Sequence, residues 1–188
     1  MPSRKALLFS APSGSGKTTI IRELLKRFDC FEFAISATSR KPRPGERDGV
    51  DYYYLTPDEF RRKVSQGAFL EYEEVYEGMF YGTLKSEVDR IWDNGHTIIF
   101  DVDVKGGLNI KRYFGDNALS IFVMPPSMEV LRQRLVGRGT ESGAVLQQRL
   151  DRSEAELALA SRFDITIVND DLATAVEEAS AAITQFLR

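Results

Sequence analysis

Short apolar segments alternate with longer amphipathic ones along most of the chain. Uninterrupted apolar runs, with the length and composition typical of buried strands, occupy residues 5–10, 97–102, 119–123 and 165–168. Apolar residues spaced three and four apart predict helices over residues 17–28, 84–93, 125–136, 144–162 and 173–187. Because strands that alternate with helices form parallel sheets covered on both faces, the pattern predicts an α/β fold.

Residues 33–94 depart from this alternation, since they are rich in aromatic residues and begin with a second apolar run, residues 33–37. Thr56-Pro57-Asp58-Glu59 has the form of a capping box with proline at the first helical position, and Glu77-Gly78 predicts a hairpin turn. We therefore interpret this region as an inserted subdomain with its own small sheet. The predicted organisation is one domain with a core, an inserted subdomain and a lid, at residues 1–32 with 95–188, about 33–94 and about 137–150.

The composition narrows the classes of function. The chain has 188 residues, 43% of them hydrophobic, which is the size and make-up of one globular domain. A single cysteine, Cys30, and a single histidine, His96, exclude a disulfide framework, a thiolate zinc cluster and a multi-histidine metal site. The net charge of −3 argues against a broad nucleic-acid-binding surface, and no apolar run approaches the roughly 20 residues of a membrane-spanning helix. We expect a cytoplasmic protein with neither nucleic acid nor membrane as partner, and the sequence does not indicate an oligomeric state.

A glycine-rich loop joins the first predicted strand to the first predicted helix. It reads Ala11-Pro12-Ser13-Gly14-Ser15-Gly16-Lys17-Thr18 and matches the ATP-binding phosphate-loop pattern G-x-x-x-x-G-K-[ST] except at its first position. In such a loop backbone N–H groups face the phosphates, Lys17 would reach the β- and γ-phosphates, and the Thr18 hydroxyl would ligate Mg²⁺. Alanine at position 11 matters only if the backbone there requires a positive φ. The simpler alternative is an ordinary turn with a lysine near the helix end.

Two arginines flank a proline-containing loop farther along the chain. Arg40 and Arg43 lie in the segment R-K-P-R-P-G-E, and their guanidinium groups suit a bidentate grip on a phosphate monoester. Tyr52 could donate its hydroxyl to the same phosphate. The alternative is a solvated basic loop.

Two acidic residues stand at the end of the apolar run 97–102. Because alternate residues on a strand face the same side, Asp101 and Asp103 are expected in one cleft at the carboxyl edge of the sheet, where open α/β sheets bind ligands. Asp101 would there order the water shell of Mg²⁺. The alternative is that the pair caps the following helix.

Arginines lie on both sides of a segment that contains three glycines, residues 137–143. Arg134 and Arg138 are four residues apart, and Arg149 is on the next predicted helix. A mobile segment with arginines on each side is typical of a lid that closes over transferred phosphates. The alternative is a set of solubilising surface arginines.

Together these motifs resemble the guanylate kinase family over nearly the full chain. The most specific segments are S-A-T-S-R-K-P-R-P-G-E, D-Y-Y, F-L-E-Y, Y-G-T, D-V-D, G-R-G-T and V-N-D-D. The resemblance implies a P-loop NTPase-type sheet and a kinase that transfers the γ-phosphoryl group of ATP to GMP with Mg²⁺. Two alternatives are a kinase for another monophosphate and a non-catalytic guanylate-kinase-like module that binds phosphopeptides.

The resemblance also implies roles for individual residues. The residues that it implies hold the GMP phosphate are Arg40, Arg43, Tyr52 and Tyr81. Those that it implies read the guanine edge are Ser36, Glu71, Thr83 and Asp103. For the transferred phosphate the candidates are Lys17 of the phosphate loop and the arginines Arg134, Arg138 and Arg149. The resemblance implies that Asn169 lies beside the adenine. A carboxylate can accept from the neighbouring N1–H and N2–H₂ groups of guanine, and adenine has no such pair of donors. Threonine stands at position 83 where the family usually has serine, and lysine stands at position 105 where many members have glutamine.

Overall fold

Two sheets, one of five strands and one of four, organise the described part of this computed structural model, residues 4–137 and 143–188. In chain order the elements are β1 (Ala6–Ser10), α1 (Lys17–Arg27), β2 (Phe31–Phe33), β3 (Ala37–Thr38), β4 (Tyr53–Tyr54), α2 (Pro57–Ser65), β5 (Phe69–Tyr76), β6 (Met79–Leu84), α3 (Lys85–Asp93), β7 (Thr97–Asp101), α4 (Val104–Phe114), β8 (Ala118–Met124), α5 (Met128–Gly137), α6 (Gly143–Leu157), β9 (Ile165–Val168) and α7 (Leu172–Leu187). The chain divides into a smaller unit, which contains Glu32–Ile98, and a larger unit built from Lys5–Phe31 and Ile99–Arg188.

The five-stranded sheet has the strand order β2-β7-β1-β8-β9. β1 pairs in parallel with β8, and β8 pairs in parallel with β9. Every residue of β1 is buried, as expected for a strand covered on both faces of a parallel sheet. Helix α1 turns Ile20, Ile21 and Leu24 inward, in agreement with its apolar spacing. The predicted α/β class, a parallel sheet flanked by helices, is therefore confirmed.

The smaller unit has a four-stranded sheet with the order β4-β3-β6-β5. β5 and β6 form an antiparallel hairpin through Glu77-Gly78, where Gly78 has a φ of 72°. The capping box of α2 is present: Thr56 Oγ1 accepts from Glu59 N, and Glu59 Oε2 accepts from Thr56 N. The core of this unit contains Ala37, Phe60, Phe69 and Leu84.

The structure differs from the sequence predictions in three places. The apolar run 33–37 is not one strand, because β2 ends at Phe33 and the N–H of Ile35 donates to the carboxylate of Glu87 instead of to a strand. The helix predicted over 144–162 ends at Leu157, and a short 3-10 turn covers Ala160–Arg162. Helix α4 was not predicted, since Gly106 and Gly107 interrupt its pattern near the start. At Gly107 a Cβ atom would lie 2.4 Å from Ser10 Oγ, so close packing explains that glycine.

Parts of two predictions lie outside the described residues. The proposed lid, about 137–150, includes residues 138–142, and Arg138 is one of them.

Within the two described ranges, no helix is both long enough and apolar enough to cross a membrane.

Candidate functional site

The loop between β1 and α1 has the backbone of a phosphate-binding loop. Gly14 and Gly16 have φ angles of 92° and 89°, which only glycine adopts readily. A Cβ atom on Gly16 would lie 2.1 Å from Asn169 Nδ2, so a side chain there would also have to displace the Asn169 amide. Among the described residues only glycines have positive φ, and Ala11 therefore adopts a conformation open to any residue. The departure from the pattern at position 11 carries no backbone penalty.

One carboxylate joins the two polar side chains that follow this loop. Lys17 Nζ lies 2.5 Å from Asp101 Oδ1, and it also donates to the carbonyl oxygen of Val102 at 2.8 Å. Thr18 Oγ1 donates to Asp101 Oδ2 at 3.1 Å. Asp101 is the last residue of β7, so a side chain at the carboxyl end of this strand contacts both the lysine and the hydroxyl at the start of α1. Asp101 and Thr18, which the sequence assigned to one metal site, therefore lie together.

The donor set around Asp101 fits magnesium. A hydroxyl and a carboxylate are hard oxygen ligands, and Mg²⁺ in nucleotide sites commonly takes only one or two protein oxygens beside phosphates and waters. In the part of the chain that the structure describes, no three His, Cys, Asp or Glu side chains cluster as a self-sufficient metal site. A metal at this edge would therefore depend on the nucleotide for its remaining ligands.

A pocket of about 420 Å³ opens beside the loop. Its lining residues are Gly14, Gly16, Thr19, Arg134, Gly137, Asn169, Asp170 and Leu172. Buried Asn169 donates from Nδ2 to Ser15 O at 2.7 Å, and Arg134 Nη2 donates to Asn169 O at 3.0 Å. These two contacts join three predicted site residues. The Oγ of Ser15 is buried without a hydrogen-bond partner in the described residues.

Asp103 differs from the strand-based prediction. β7 ends at Asp101, so Asp103 is not a strand residue; it is the N-cap of α4, and its Oδ1 accepts from Gly106 N at 2.7 Å. Its Oδ2 lies 3.6 Å from Arg152 Nη2. The alternation argument was therefore wrong for this pair, and the capping alternative is correct for Asp103. Arg149 lies on α6, where its carbonyl oxygen accepts from Ser153.

In the smaller unit, the guanidinium group of Arg40 is held by a carboxylate. Arg40 Nη1 and Nη2 donate to the two oxygens of Glu46 at 2.7 and 2.8 Å, Nη1 also donates to Lys41 O, and Nε donates to Tyr81 OH at 3.2 Å. A guanidinium has five N–H bonds, so one, on Nη2, is left after these contacts. Arg40 cannot grip a phosphate with both terminal nitrogens in this arrangement, in contrast to the bidentate prediction.

A tight turn brings Glu46 to Arg40. Glu46 N donates to Arg43 O at 3.0 Å, Pro44 occupies the second position, and Gly45 has a φ of 89° at the third, which is characteristic of a type II turn. Glu46 also accepts from the N–H of Arg43 and the hydroxyl of Tyr54, each at 2.7 Å. The hydrogen bonds from Arg40 and from the Arg43 backbone lower the pKa of Glu46 to about 2. Glu46 is thus a charged partner that the sequence reading missed, although its P-G turn was a signal.

Three tyrosines surround this ion pair. The Arg40 guanidinium carbon lies 5.1 Å from the ring centre of Tyr52 and 5.8 Å from that of Tyr54, and Tyr52 packs edge-on against Tyr81. The hydroxyl of Tyr81 accepts from Arg40, and its own hydrogen has the weak acceptor Met79 Sδ at 3.8 Å. Burial and the hydrogen bond to Glu46 raise the pKa of Tyr54 to about 12. Arg40, Tyr52 and Tyr81 are therefore brought together as predicted partners, and Tyr54 was missed.

A second polar pair lies on the hairpin of the smaller unit. Glu71 on β5 is opposite Thr83 on β6, and Thr83 Oγ1 donates to Glu71 Oε1 at 2.9 Å. Between Tyr81 and Thr83, Gly82 permits the close approach of the strands, since a Cβ atom there would lie 2.6 Å from Glu71 O. The threonine keeps the hydroxyl contact to Glu71 that a serine could make.

The last two predicted residues of this unit are in loops. Ser36 lies between β2 and β3 and is half-buried, and its carbonyl oxygen accepts from Tyr53 N at 2.9 Å. Arg43 is exposed, and its backbone rather than its side chain contacts Glu46.

The chain is similar to known proteins over almost its full length. A family model described as guanylate kinase matches residues 3–186. A guanylate kinase of Bacteroides fragilis is 52% identical over 183 residues, which are 97% of this chain and 90% of the relative. A guanylate kinase of Salinibacter ruber is 52% identical over 187 residues, which are 100% of this chain and 99% of the relative. The crystal structure of a guanylate kinase from Anaplasma phagocytophilum matches with a TM-score of 0.77 at 29% identity, over 98% of this chain and 87% of that one.

Proposed function

The chain belongs to the guanylate kinase family, whose members are ATP:GMP phosphotransferases, and from this premise we propose which of its residues bind the two nucleotides. The reaction transfers the γ-phosphoryl group of ATP to the phosphate of GMP and yields ADP and GDP. The observation that carries the proposal is the phosphate loop, whose Lys17 and Thr18 both contact Asp101 at the end of β7. A module that only binds phosphopeptides has no need of this arrangement. The nucleotide substrates and the single cysteine favour the cytoplasm.

ATP would bind along residues 11–18, with Asn169 beside the adenine. Backbone N–H groups and the start of α1 attract the phosphates, and Gly14 and Gly16 allow their close approach. Thr18 and Asp101 would hold Mg²⁺, which when bound supplies positive charge to the β- and γ-phosphate oxygens. Lys17 would leave its contact with Asp101 in part to neutralise the charge that develops on the transferred group.

GMP would bind in the smaller unit through two groups of residues. Its phosphate would take the remaining N–H of Arg40, the hydroxyls of Tyr52 and Tyr81, and the exposed guanidinium of Arg43. Tyr81 is suited to donate, because Arg40 already occupies an acceptor position on its oxygen and only a weak acceptor, Met79 Sδ, faces its hydrogen. The fixed cation on Arg40 also offsets the charge of the monoester.

Guanine would be recognised in the smaller unit by the pair Glu71 and Thr83, with Ser36 assigned from the family. The family also assigns a guanine contact to Asp103, which belongs to the larger unit. Thr83 donates to Oε1 of Glu71, so the carboxylate is oriented before the base arrives. Its oxygens can accept from N1–H and N2–H₂ of guanine. Adenine has no such pair of donors, so AMP would desolvate the carboxylate without replacing the hydrogen bonds that it loses to water.

Transfer needs neither a covalent intermediate nor a general base. A phosphate monoester is largely ionised at neutral pH, so its oxygen can attack in line. The protein therefore acts by positioning and by charge neutralisation, for which Arg134, Arg138 and Arg149 are the candidate arginines beside Lys17.

A coupled assay for ADP formation with GMP or AMP as acceptor tests this proposal. We expect fast ADP formation with GMP and little with AMP. A kinase for another monophosphate would prefer a different acceptor, and a binding module would form no ADP with either. Both of these results would contradict the assignment.

A further inference from the structure

The smaller unit contains a buried carboxylate outside the residues assigned to GMP. Glu87, on α3, is only 2% exposed. Its Oε1 accepts from Ile35 N at 3.0 Å and from Arg90 Nη2 at 2.9 Å. Its Oε2 accepts from Tyr53 OH at 2.8 Å and from Arg90 Nε at 2.9 Å. A carboxylate with four donors in a buried site is held in one position.

Two of these donors stand next to predicted GMP-binding residues. Ile35 precedes Ser36, and Tyr53 follows Tyr52. The two segments also contact each other, since Tyr53 N donates to Ser36 O at 2.9 Å. Glu87 therefore bridges the two segments, because it accepts from a backbone N–H of one and from a side-chain hydroxyl of the other.

Further residues keep Glu87 ionised and its partner in place. Burial acts to raise the pKa of Glu87, but hydrogen bonds from Arg90, Ile35 and Tyr53 outweigh it and leave the pKa below its usual value. Arg90 is itself held from the other side by Glu32, at 2.5 Å from Nη1. His96 Nδ1 lies 2.6 Å from the other oxygen of Glu32. These contacts hold Arg90 in its position against Glu87.

We propose that Glu87 is a positioning residue for the acceptor nucleotide: its carboxylate holds the segments that carry Ser36 and Tyr52 in the arrangement that binds GMP. This inference rests on the proposed function. Glu87 does more than pair with Arg90, because two of its four hydrogen bonds come from the segments that carry Ser36 and Tyr52. Without the bridge the segments would sample other arrangements, and the apparent affinity for GMP would fall with the competent fraction.

The experiment compares three variants in steady-state kinetics with both substrates. In Glu87→Gln an NH₂ group replaces one of the two acceptor oxygens, so it faces a donor of Arg90 and the donor of either Ile35 or Tyr53. We expect the KM for GMP to rise about tenfold while the KM for ATP stays within about twofold. Tyr53→Phe removes one donor and keeps the ring, and we expect a rise in the same KM of about threefold. Combining the two should give less than the product of the single effects, because both disturb one hydrogen bond.

Asp164→Asn is the matched control. Asp164 is a hydrogen-bonded carboxylate of the larger unit that accepts from Ser120 and pairs with Lys111 at 2.8 Å. Its loss should lower stability without changing the KM for GMP. A purely structural role of Glu87 would reduce the amount of folded enzyme and hence Vmax, with both KM values unchanged.

The outcomes separate this inference from the proposed function. If the unaltered protein forms GDP but neither Glu87→Gln nor Tyr53→Phe raises the KM for GMP, the positioning role is wrong. An equal rise in Asp164→Asn also overturns it. If the unaltered protein forms no GDP from GMP, the proposed function itself fails.

Discussion

The two candidate nucleotide sites differ in the chemical groups that form them, backbone in one and side chains in the other. The donor site is built around eight consecutive residues, 11–18, and much of the contact surface of this loop is backbone that two glycines with positive φ expose. The acceptor site is made by side chains from separate segments, with Arg40 held by Glu46 and the hairpin pair Glu71 and Thr83. Backbone is positioned by the fold itself, whereas side chains need further side chains to hold them. Positioning residues are therefore expected mainly in the acceptor site.

The largest effect is expected at Lys17, the lysine of the phosphate loop. Replacing Lys17 by Met removes the cation that lies 2.5 Å from Asp101, and kcat should fall about a thousandfold, since a charge aimed at the transferred group is lost. GMP affinity, measured by calorimetry, should change little. Lys26→Met, on an exposed lysine of the same helix, is the control and should keep normal turnover. Normal turnover in Lys17→Met would refute the assigned role.

A substitution in the acceptor site should change the selectivity between GMP and AMP more than the turnover rate. In Glu71→Gln the amide can donate to N1 of adenine and accepts poorly from both guanine donors, so the preference for GMP over AMP should fall about a hundredfold. The ratio of kcat/KM values for the two acceptors measures this change. Glu77→Gln, in the exposed hairpin turn, is the control. An unchanged ratio in Glu71→Gln would count against the guanine assignment.

A smaller effect is expected at the residue that holds Arg40. Glu46→Gln keeps one acceptor oxygen but loses the charged two-point contact with the guanidinium group. We expect the KM for GMP to rise about tenfold and the KM for ATP to stay constant. A fall in the KM for GMP would mean that Glu46 competes with the phosphate for Arg40 and does not position it.

The smallest effect concerns stability and pH. Because the folded-state pKa of Glu46 is about 2 and its ordinary value is 4.5, its ionised form stabilises the fold fully above pH 4.5. This contribution is lost as the pH falls from 4.5 through about 2. The difference in the free energy of unfolding between the unaltered protein and Glu46→Gln, measured in urea, should be constant from pH 6 to 8 and smaller at pH 3. A difference independent of pH would show that the ion pair does not stabilise the fold.

The contrast between the sites also explains what the sequence could predict. The phosphate loop was predictable as a unit, because its strand, glycines, lysine and threonine are contiguous. The strands and helices of the α/β sheet followed from apolar spacing, except β2 and α4, in which Gly107 packs closely against Ser10. Tyr54 and Glu87 were not predicted, because their partners are brought to them only by the folded chain. Glu46 was missed although the neighbouring P-G turn indicated that it folds back toward Arg43.

Asp103 shows the same limit on a smaller scale. The alternation rule needs a strand, and β7 stops two residues earlier, so the side chain turns back to cap α4. Without the point at which the strand ends, spacing alone could not distinguish the two readings.

Separate titrations of GMP and of a non-hydrolysable ATP analogue test the central claim most directly. They are made by calorimetry on the unaltered protein, on Lys17→Met and on Glu46→Gln. We predict that Lys17→Met weakens binding of the ATP analogue alone, and that Glu46→Gln weakens binding of GMP alone. If either substitution weakened both ligands equally, or if GMP lost affinity only in Lys17→Met, the assignment of donor and acceptor to these two sites would be contradicted.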